Sequence, residues 1–161
     1  MILELLRNKL SKSVISDFST LKTDIHSHLV PKLDDGSDSM ETSILLIKGL
    51  VDLGYEKIIT TPHIRPEYFP NTPATISKGF EALKKAVKKE NIKVGLECAA
   101  EYFIDYEFLG KMEKDELLTF SENHILIEVS TYSPPPNLKE TIFQLRLQGY
   151  RPVLALSLIH I

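Results

Sequence analysis

Two histidines one residue apart, His26 and His28, close a short apolar run, and Asp34-Asp35-Gly36 follows close behind. Side chains on a strand repeat direction every second residue, so a His-x-His pair offers two imidazoles to a single cation. The following carboxylates would add hard oxygen ligands, and Gly36 would let the backbone turn close beneath them. Three more donors recur downstream: His63 behind Thr60-Thr61-Pro62, Glu101 behind Ala99-Ala100, and Glu128 at the end of Leu126-Ile127. A mixed imidazole and carboxylate set suits manganese, iron or zinc. Such ions lower the pKa of bound water to about 7 and neutralise phosphoryl or carbonyl oxygens, which makes hydrolysis the natural chemistry.

Those donors act together only if the backbone gathers them. Residues 21–25 read as a first strand. Asp38 and Glu41 form a candidate capping box, and Met40, Ile44, Ile47, Leu50 and Val51 recur at helical steps until Gly54. Residues 57–61, rich in β-branched types, predict a second strand that Pro62 stops and that delivers His63. Pro66, Tyr68, Phe69 and Pro70 make residues 64–72 a loop. Thr72 with Pro73 opens a helix whose buried stripe is Ile76, Phe80, Leu83 and Val87. A third strand runs over residues 92–101 and ends on Glu101. Asp105 can cap a short helix holding Phe108, Leu109 and Met112. Residues 124–129 form a fourth strand carrying Glu128. After the stiff Ser133-Pro134-Pro135-Pro136 loop, Asn137 and Glu140 suggest another capping box, Gly149 closes that helix, and residues 152–155 give a fifth strand.

Strand and helix units in series predict an α/β fold, because a parallel crossover needs a helix to cover the sheet. A barrel and an open doubly wound sheet both satisfy that pattern. Four successive strands each deliver a potential ligand at the carboxyl end, where a closed barrel gathers such ends around one mouth.

Composition narrows the class further. The 161 residues are 43% hydrophobic and 25% charged with a net charge of −3, which suits one globular domain and offers no polycationic face for nucleic acid. Lys84, Lys85, Lys88 and Lys89 recur at helical spacing, as a solvated face does. No stretch approaches the ~20 apolar residues of a membrane span. The N-terminal patch lacks the basic lead-in and cleavage site of a signal peptide. The single cysteine, Cys98, permits no intrachain disulfide, so a cytoplasmic location is expected. Residues 1–20 read as an amphipathic helix and polar tether, and residues 21–155 as the domain proper.

The set Asp24-Ile25-His26-Ser27-His28, Leu33-Asp34-Asp35-Gly36, Thr60-Thr61-Pro62-His63, Ala100-Glu101-Tyr102 and Leu126-Ile127-Glu128 resembles the polymerase and histidinol phosphatase (PHP) superfamily. Within it the chain looks like the capsule-type, manganese-dependent bacterial protein-tyrosine phosphatases. That resemblance implies a distorted, TIM-like (β/α)7 barrel of which about the first five βα units are present, and two to three divalent ions, Mn2+ foremost. It implies hydrolysis of phosphotyrosine on a protein partner, a bacterial tyrosine kinase of polysaccharide export, and it leaves oligomerisation open. Carried over by position, His26, His28, Asp35, His63, Glu101 and Glu128 match metal ligands, with Glu101 placed to bridge ions. Asp34 could take the place of Asp35 or support it from behind, and Asp24 could orient a histidine. Arg65 is the candidate for meeting the phosphate, since its fork suits a dianion. Tyr68, Phe69 and Tyr102 could wall a phenyl ring or simply pack. Thiol-dependent phosphoester hydrolysis is excluded, since it needs an Arg six positions past the Cys, where this chain has Ile104.

The resemblance falters after Ala155, where relatives place a His, usually in His-Pro-Glu-Arg-Tyr, followed later by an Asp-x-His pair. Here Leu156 stands instead, and residues 156–161 are what the transposon-end string CTGTCTCTTATACACATC encodes. Those residues are therefore expected to be a non-native tail, and His160 is not counted as a ligand. A barrel of this type usually needs roughly 200–250 residues. The isolated chain is therefore expected to be unstable and inactive, with exposed sheet edges. Two rival classes remain: another PHP or amidohydrolase-like metal hydrolase acting on histidinol phosphate or C–N bonds, and a non-catalytic metal-binding module. Amidohydrolases typically call for a metal-bridging Lys after a middle strand, which is not found at the ends of strands three or four.

Overall fold

The computed structural model describes residues 19–105, 108, 110, 117–130 and 132–156. Of the N-terminal helix and tether expected over residues 1–20, all but residues 19–20 lie outside the described residues, as do the body of the short helix after Asp105, with Leu109 and Met112, and residues 157–161 with His160.

The strands are β1 (Thr23–Ser27), β2 (Lys57–Thr60), β3 (His63–Ile64), β4 (Gly95–Cys98), β5 (Glu101–Phe103), β6 (His124–Glu128) and β7 (Arg151–Leu154). The helices are α1 (Met40–Asp52), α2 (Pro73–Lys89) and α3 (Leu138–Leu147). They build an α/β fold with two sheets ordered β1-β2-β4 and β3-β5-β6-β7, and every adjacent pair is parallel.

The sheets meet where two strands break. Pro62 has no N–H to give and separates β2 from β3, while Ala99-Ala100 separates β4 from β5. The ladder carries across the break through Ala99 N–H to Thr60 O at 2.9 Å and Glu101 N–H to Pro62 O at 3.0 Å. The single strand expected over residues 92–101 is thus two. Ile92 and Val94 precede β4 and pack against the α1–α2 side of the core instead. The 64–72 loop is also more ordered than expected: His63–Ile64 pairs with β5, and Arg65 and Phe69 exchange backbone bonds of 3.0 and 2.6 Å in a tight turn.

Helix α2 forms as its sequence demands. Thr72 caps it in a box with Thr75, Pro73 opens it, and Ile76, Phe80, Leu83 and Val87 are its buried residues. It spans both sheets, since Ile76 packs with Tyr102, Ile125 and Ile127 while Phe80, Leu83 and Val87 pack with Val30, Ile47 and Ile58. The caps of the other helices differ from expectation. In α1 the N-cap is Ser39, which accepts from Thr42 N–H at 3.1 Å, and Asp38 instead takes the Thr42 hydroxyl at 2.7 Å. In α3 the triproline turn leaves Asn137 at φ −88°, ψ 9°, where its side chain makes no capping bond, and Glu140 accepts from Gln144 at 2.6 Å. Gly54 ends α1 at φ +99°.

Candidate metal centre

The carboxyl end of β1 bends out of its ladder, and that bend makes the site. Pairing with β2 shifts register between Asp24 and Ser27. The buried Thr60 hydroxyl then donates to Ser27 O at 2.9 Å and accepts from Leu29 N–H at 2.9 Å, holding the turned chain. The loop that follows closes on itself through Ser37 N–H to His28 O at 3.0 Å and Lys32 N–H to Ser37 O at 2.9 Å. A Cβ on Gly36 would lie 2.3 Å from both His28 Cβ and His28 O, so only glycine fits under the histidine.

All six candidate ligands converge. His26 Nε2 lies 3.1 Å and His28 Nε2 3.2 Å from Glu101 Oε2, and the two imidazole nitrogens are 3.3 Å apart. His63 Nδ1 approaches the same oxygen at 3.3 Å and Glu128 Oε2 at 3.8 Å, while its Nε2 faces Asp35 Oδ1 at 3.7 Å. Three groups result, each with ligand atoms within 4.8 Å of one another: His26, His28 and Glu101; His28, Asp35 and His63; His63, Glu101 and Glu128. Glu101 is only 1% exposed and Asp35 is 68% exposed, so the cluster runs from a buried carboxylate to the rim.

The electrostatics follow from this crowding. Burial alone would lower the His28 pKa, but hydrogen bonds to Asp34 and Glu101 outweigh it and push it up to about 10. Burial works to raise Glu101, yet bonds from His26 and His28 hold it down at about 2. Glu128 is raised by burial and by the neighbouring Glu101 charge. Glu101 Oε1, His63 Nδ1 and Glu128 Oε2 are buried and make no hydrogen bond. Buried polar atoms left unpaired cost about 1–3 kcal/mol each, and one or more cations would satisfy these together, so the donor set fits divalent metal.

The remaining candidates sort differently. Asp34 belongs to none of the ligand groups, and its Oδ2 accepts from His28 Nδ1 at 2.7 Å. Among the described residues Asp24 makes no hydrogen bond to a histidine ring; its Oδ1 takes the His26 backbone N–H at 3.4 Å, and its Oδ2 is buried without a partner. Phe69 stacks on His63 with centroids 5.2 Å apart. Tyr102 does not wall the site: it is 5% exposed, packs edge-on to Phe108, and its hydroxyl accepts from Leu118 N–H at 2.8 Å. The Arg65 guanidinium lies 4.4 Å from the Tyr68 ring and 4.0 Å from the Phe103 ring. Burial pushes the Cys98 thiol up to about 12, which removes it as a nucleophile. Asn71 and Phe103 are contributors that the patterning did not single out, and Thr60, quoted there only as part of a strand end, holds the β1 turn through its hydroxyl. Asn71 Nδ2 donates to both Leu33 O at 2.8 Å and His63 O at 2.9 Å. Nothing in the loop composition marks that bridge.

Comparison with known proteins identifies the chain's relatives. The family model for capsular polysaccharide synthesis proteins, CpsB/CapC, matches residues 22–158. The tyrosine-protein phosphatase YwqE of Bacillus subtilis is 32% identical over 133 residues, covering 82% of this chain and 52% of YwqE. The tyrosine-protein phosphatase CpsB of Streptococcus pneumoniae is 29% identical, covering 82% of this chain and 55% of CpsB. A chain among the crystal structures of YwqE and CpsB, described as metal-dependent tyrosine phosphatases, superposes with a TM-score of 0.75 at 32% identity over 82% of this chain and 54% of that one. The chain therefore spans about half the length of the curated relatives it matches. With the family model matched over most of its length, the chain belongs to the CpsB/CapC capsular polysaccharide synthesis family.

Proposed function

We propose that this chain carries the metal centre of a protein-tyrosine phosphatase, one that hydrolyses phosphotyrosine on a tyrosine kinase of capsule or exopolysaccharide export. The observation that carries this is the placement of one buried Glu101 oxygen 3.1–3.3 Å from His26, His28 and His63 together. The relatives named as tyrosine-protein phosphatases supply the substrate class. His26, His28, Asp35, His63, Glu101 and Glu128 would hold the ions, with Glu101, whose Oε2 lies nearest three of the histidines, at their centre. Mn2+ is the proposed metal, and iron or zinc suits the same donors. When bound, the ions supply positive charge for the phosphoryl oxygens and a lowered pKa for water.

The chain's own residues do the rest. Water displaces the phenolic oxygen from phosphorus, giving tyrosine and inorganic phosphate. The Arg65 guanidinium is stacked against two rings and, among the described residues, its side chain makes no hydrogen bond or ion pair, so its fork of N–H groups suits a dianion. Tyr68, 64% exposed, and Phe103 flank it as aryl contacts. We take the serial parallel strands as the first part of a PHP-type (β/α)7 barrel. The location proposed is cytoplasmic; among the described residues no helix is long and apolar enough to cross a membrane.

The test is an assay of the protein expressed from its intact locus with a phosphotyrosyl peptide, Mn2+ and then a chelator. Chelator-sensitive phosphate release that disappears in His26→Ala is the expected result. Metal uptake without turnover, or turnover unchanged in His26→Ala, would remove this function.

A further inference from the structure

Asp34 stands between two candidate ligands without being one itself. Its side chain is 0% exposed, and its two oxygens meet three donors: His28 Nδ1 at 2.7 Å and His63 N–H at 2.9 Å on Oδ2, and Gly36 N–H at 3.1 Å on Oδ1. A carboxylate only accepts, so the proton in the 2.7 Å bond belongs to His28 Nδ1. Nε2 of the same ring is then the nitrogen presented to His26 Nε2 at 3.3 Å and Glu101 Oε2 at 3.2 Å. Oxygen Oδ2 also grips the first backbone amide of β3, and Asn71 ties Leu33 O and His63 O from the other side. Asp35, one residue on, has the opposite character: it is 68% exposed and aims at His63 Nε2 from 3.7 Å.

We propose that Asp34 is the positioning residue of the centre: it holds His28 in its Nδ1–H form, so that Nε2 faces the cation, and it fixes the spacing between His28 and His63. The neighbouring acids thus divide the work, one orienting and one ligating. This rests on the metal-centre function proposed above, since it takes His28 Nε2 as a ligand. An acid behind a metal-bound histidine commonly sets ring orientation and basicity, and its loss weakens metal affinity about 10- to 100-fold.

Asp34→Asn preserves side-chain size but leaves one acceptor oxygen for three donors. Calorimetry with Zn2+ and 15N-histidine NMR of the Zn2+-loaded full chain read the result. Expected are Zn2+ affinity weakened about 10- to 100-fold with unchanged circular dichroism, and loss of the downfield, exchange-protected His28 Nδ1–H signal. Asn71→Ala loosens the same loop without touching the ring; it should weaken affinity less and keep that signal. Wild-type affinity and an unchanged signal in Asp34→Asn would overturn the proposal, as would equal losses in both variants with the signal retained. His28→Ala separates the two levels. Affinity lost there but kept in Asp34→Asn removes only the role of Asp34, whereas affinity kept in His28→Ala removes the centre. Should Asp34→Asn not fold, the wild-type spectrum decides alone: zinc on Nδ1 with the proton on Nε2 contradicts the proposal.

Discussion

Raising the pH of the metal-free chain should tighten its hold on Mn2+ steeply, because a proton occupies the position a cation would take. With the His28 pKa at about 10, the imidazole carries both ring protons at neutral pH, one facing Asp34 and one facing Glu101. Glu101, held at about 2, stays ionised throughout and contributes no proton of its own. A cation that takes Nε2 must displace one proton. Each pH unit below the His28 value then weakens binding about tenfold, or ~1.4 kcal/mol, so affinity should rise about 100-fold between roughly pH 7 and pH 9. Calorimetry in buffers of different ionisation enthalpy measures both the affinity and the protons released, expected to be about one for the cation entering beside His28. Affinity that is flat over this range, with no proton release, would refute the reasoning.

Stability of the metal-free fold runs by its own signs. His28 contributes stability that is complete below its ordinary 6.5 and is lost as pH rises to about 10, and Glu101 contributes above its ordinary 4.5 and loses it as pH falls to about 2. The melting temperature of the metal-free chain should therefore peak between those two ordinary values. Arg65→Ala should cost about 1.5–3 kcal/mol of phosphate recognition, seen as roughly a 10- to 100-fold fall in kcat/KM for the phosphotyrosyl peptide with metal content unchanged. Gly36→Ala should destabilise by about 1–3 kcal/mol and weaken metal binding, measured by denaturant unfolding and calorimetry, because the new methyl group meets His28. In the protein from its intact locus, Cys98→Ser and iodoacetamide near neutral pH should each leave the proposed phosphate release unchanged, because the thiol stays protonated.

Much of the scaffold was legible because local and long-range demands coincide. In α2 the cap, the first-turn proline and the apolar stripe all specify one helix, and it forms as specified. Pro62 marks a strand end by chemistry alone. The α1 and α3 caps were misassigned because several neighbouring residues could cap, and backbone angles at Ser39 and Asn137, set by tertiary context, decided between them. The break at Ala99-Ala100 was hidden, because an apolar run does not reveal that its two halves pair in different sheets. At the site, His-x-His, His63 and the later acids picked out, with the family resemblance, the six side chains that the fold brings together, since their types and strand-end positions carry the chemistry. Their division of labour needed coordinates: Asp34 and Asp35 are identical in type, and only the register of a closed loop buries one and exposes the other. Tyr102 looked equally suited to wall or core; in the fold it packs in the core beside Ile76 and edge-on to Phe108.

The most direct test is anomalous diffraction at the manganese edge from crystals of the chain grown with Mn2+. Two to three peaks bounded by His26, His28, Asp35, His63, Glu101 and Glu128, with one against Glu101, are the predicted result. Peaks elsewhere, or an empty cluster at saturating Mn2+, would contradict the centre on which the account stands.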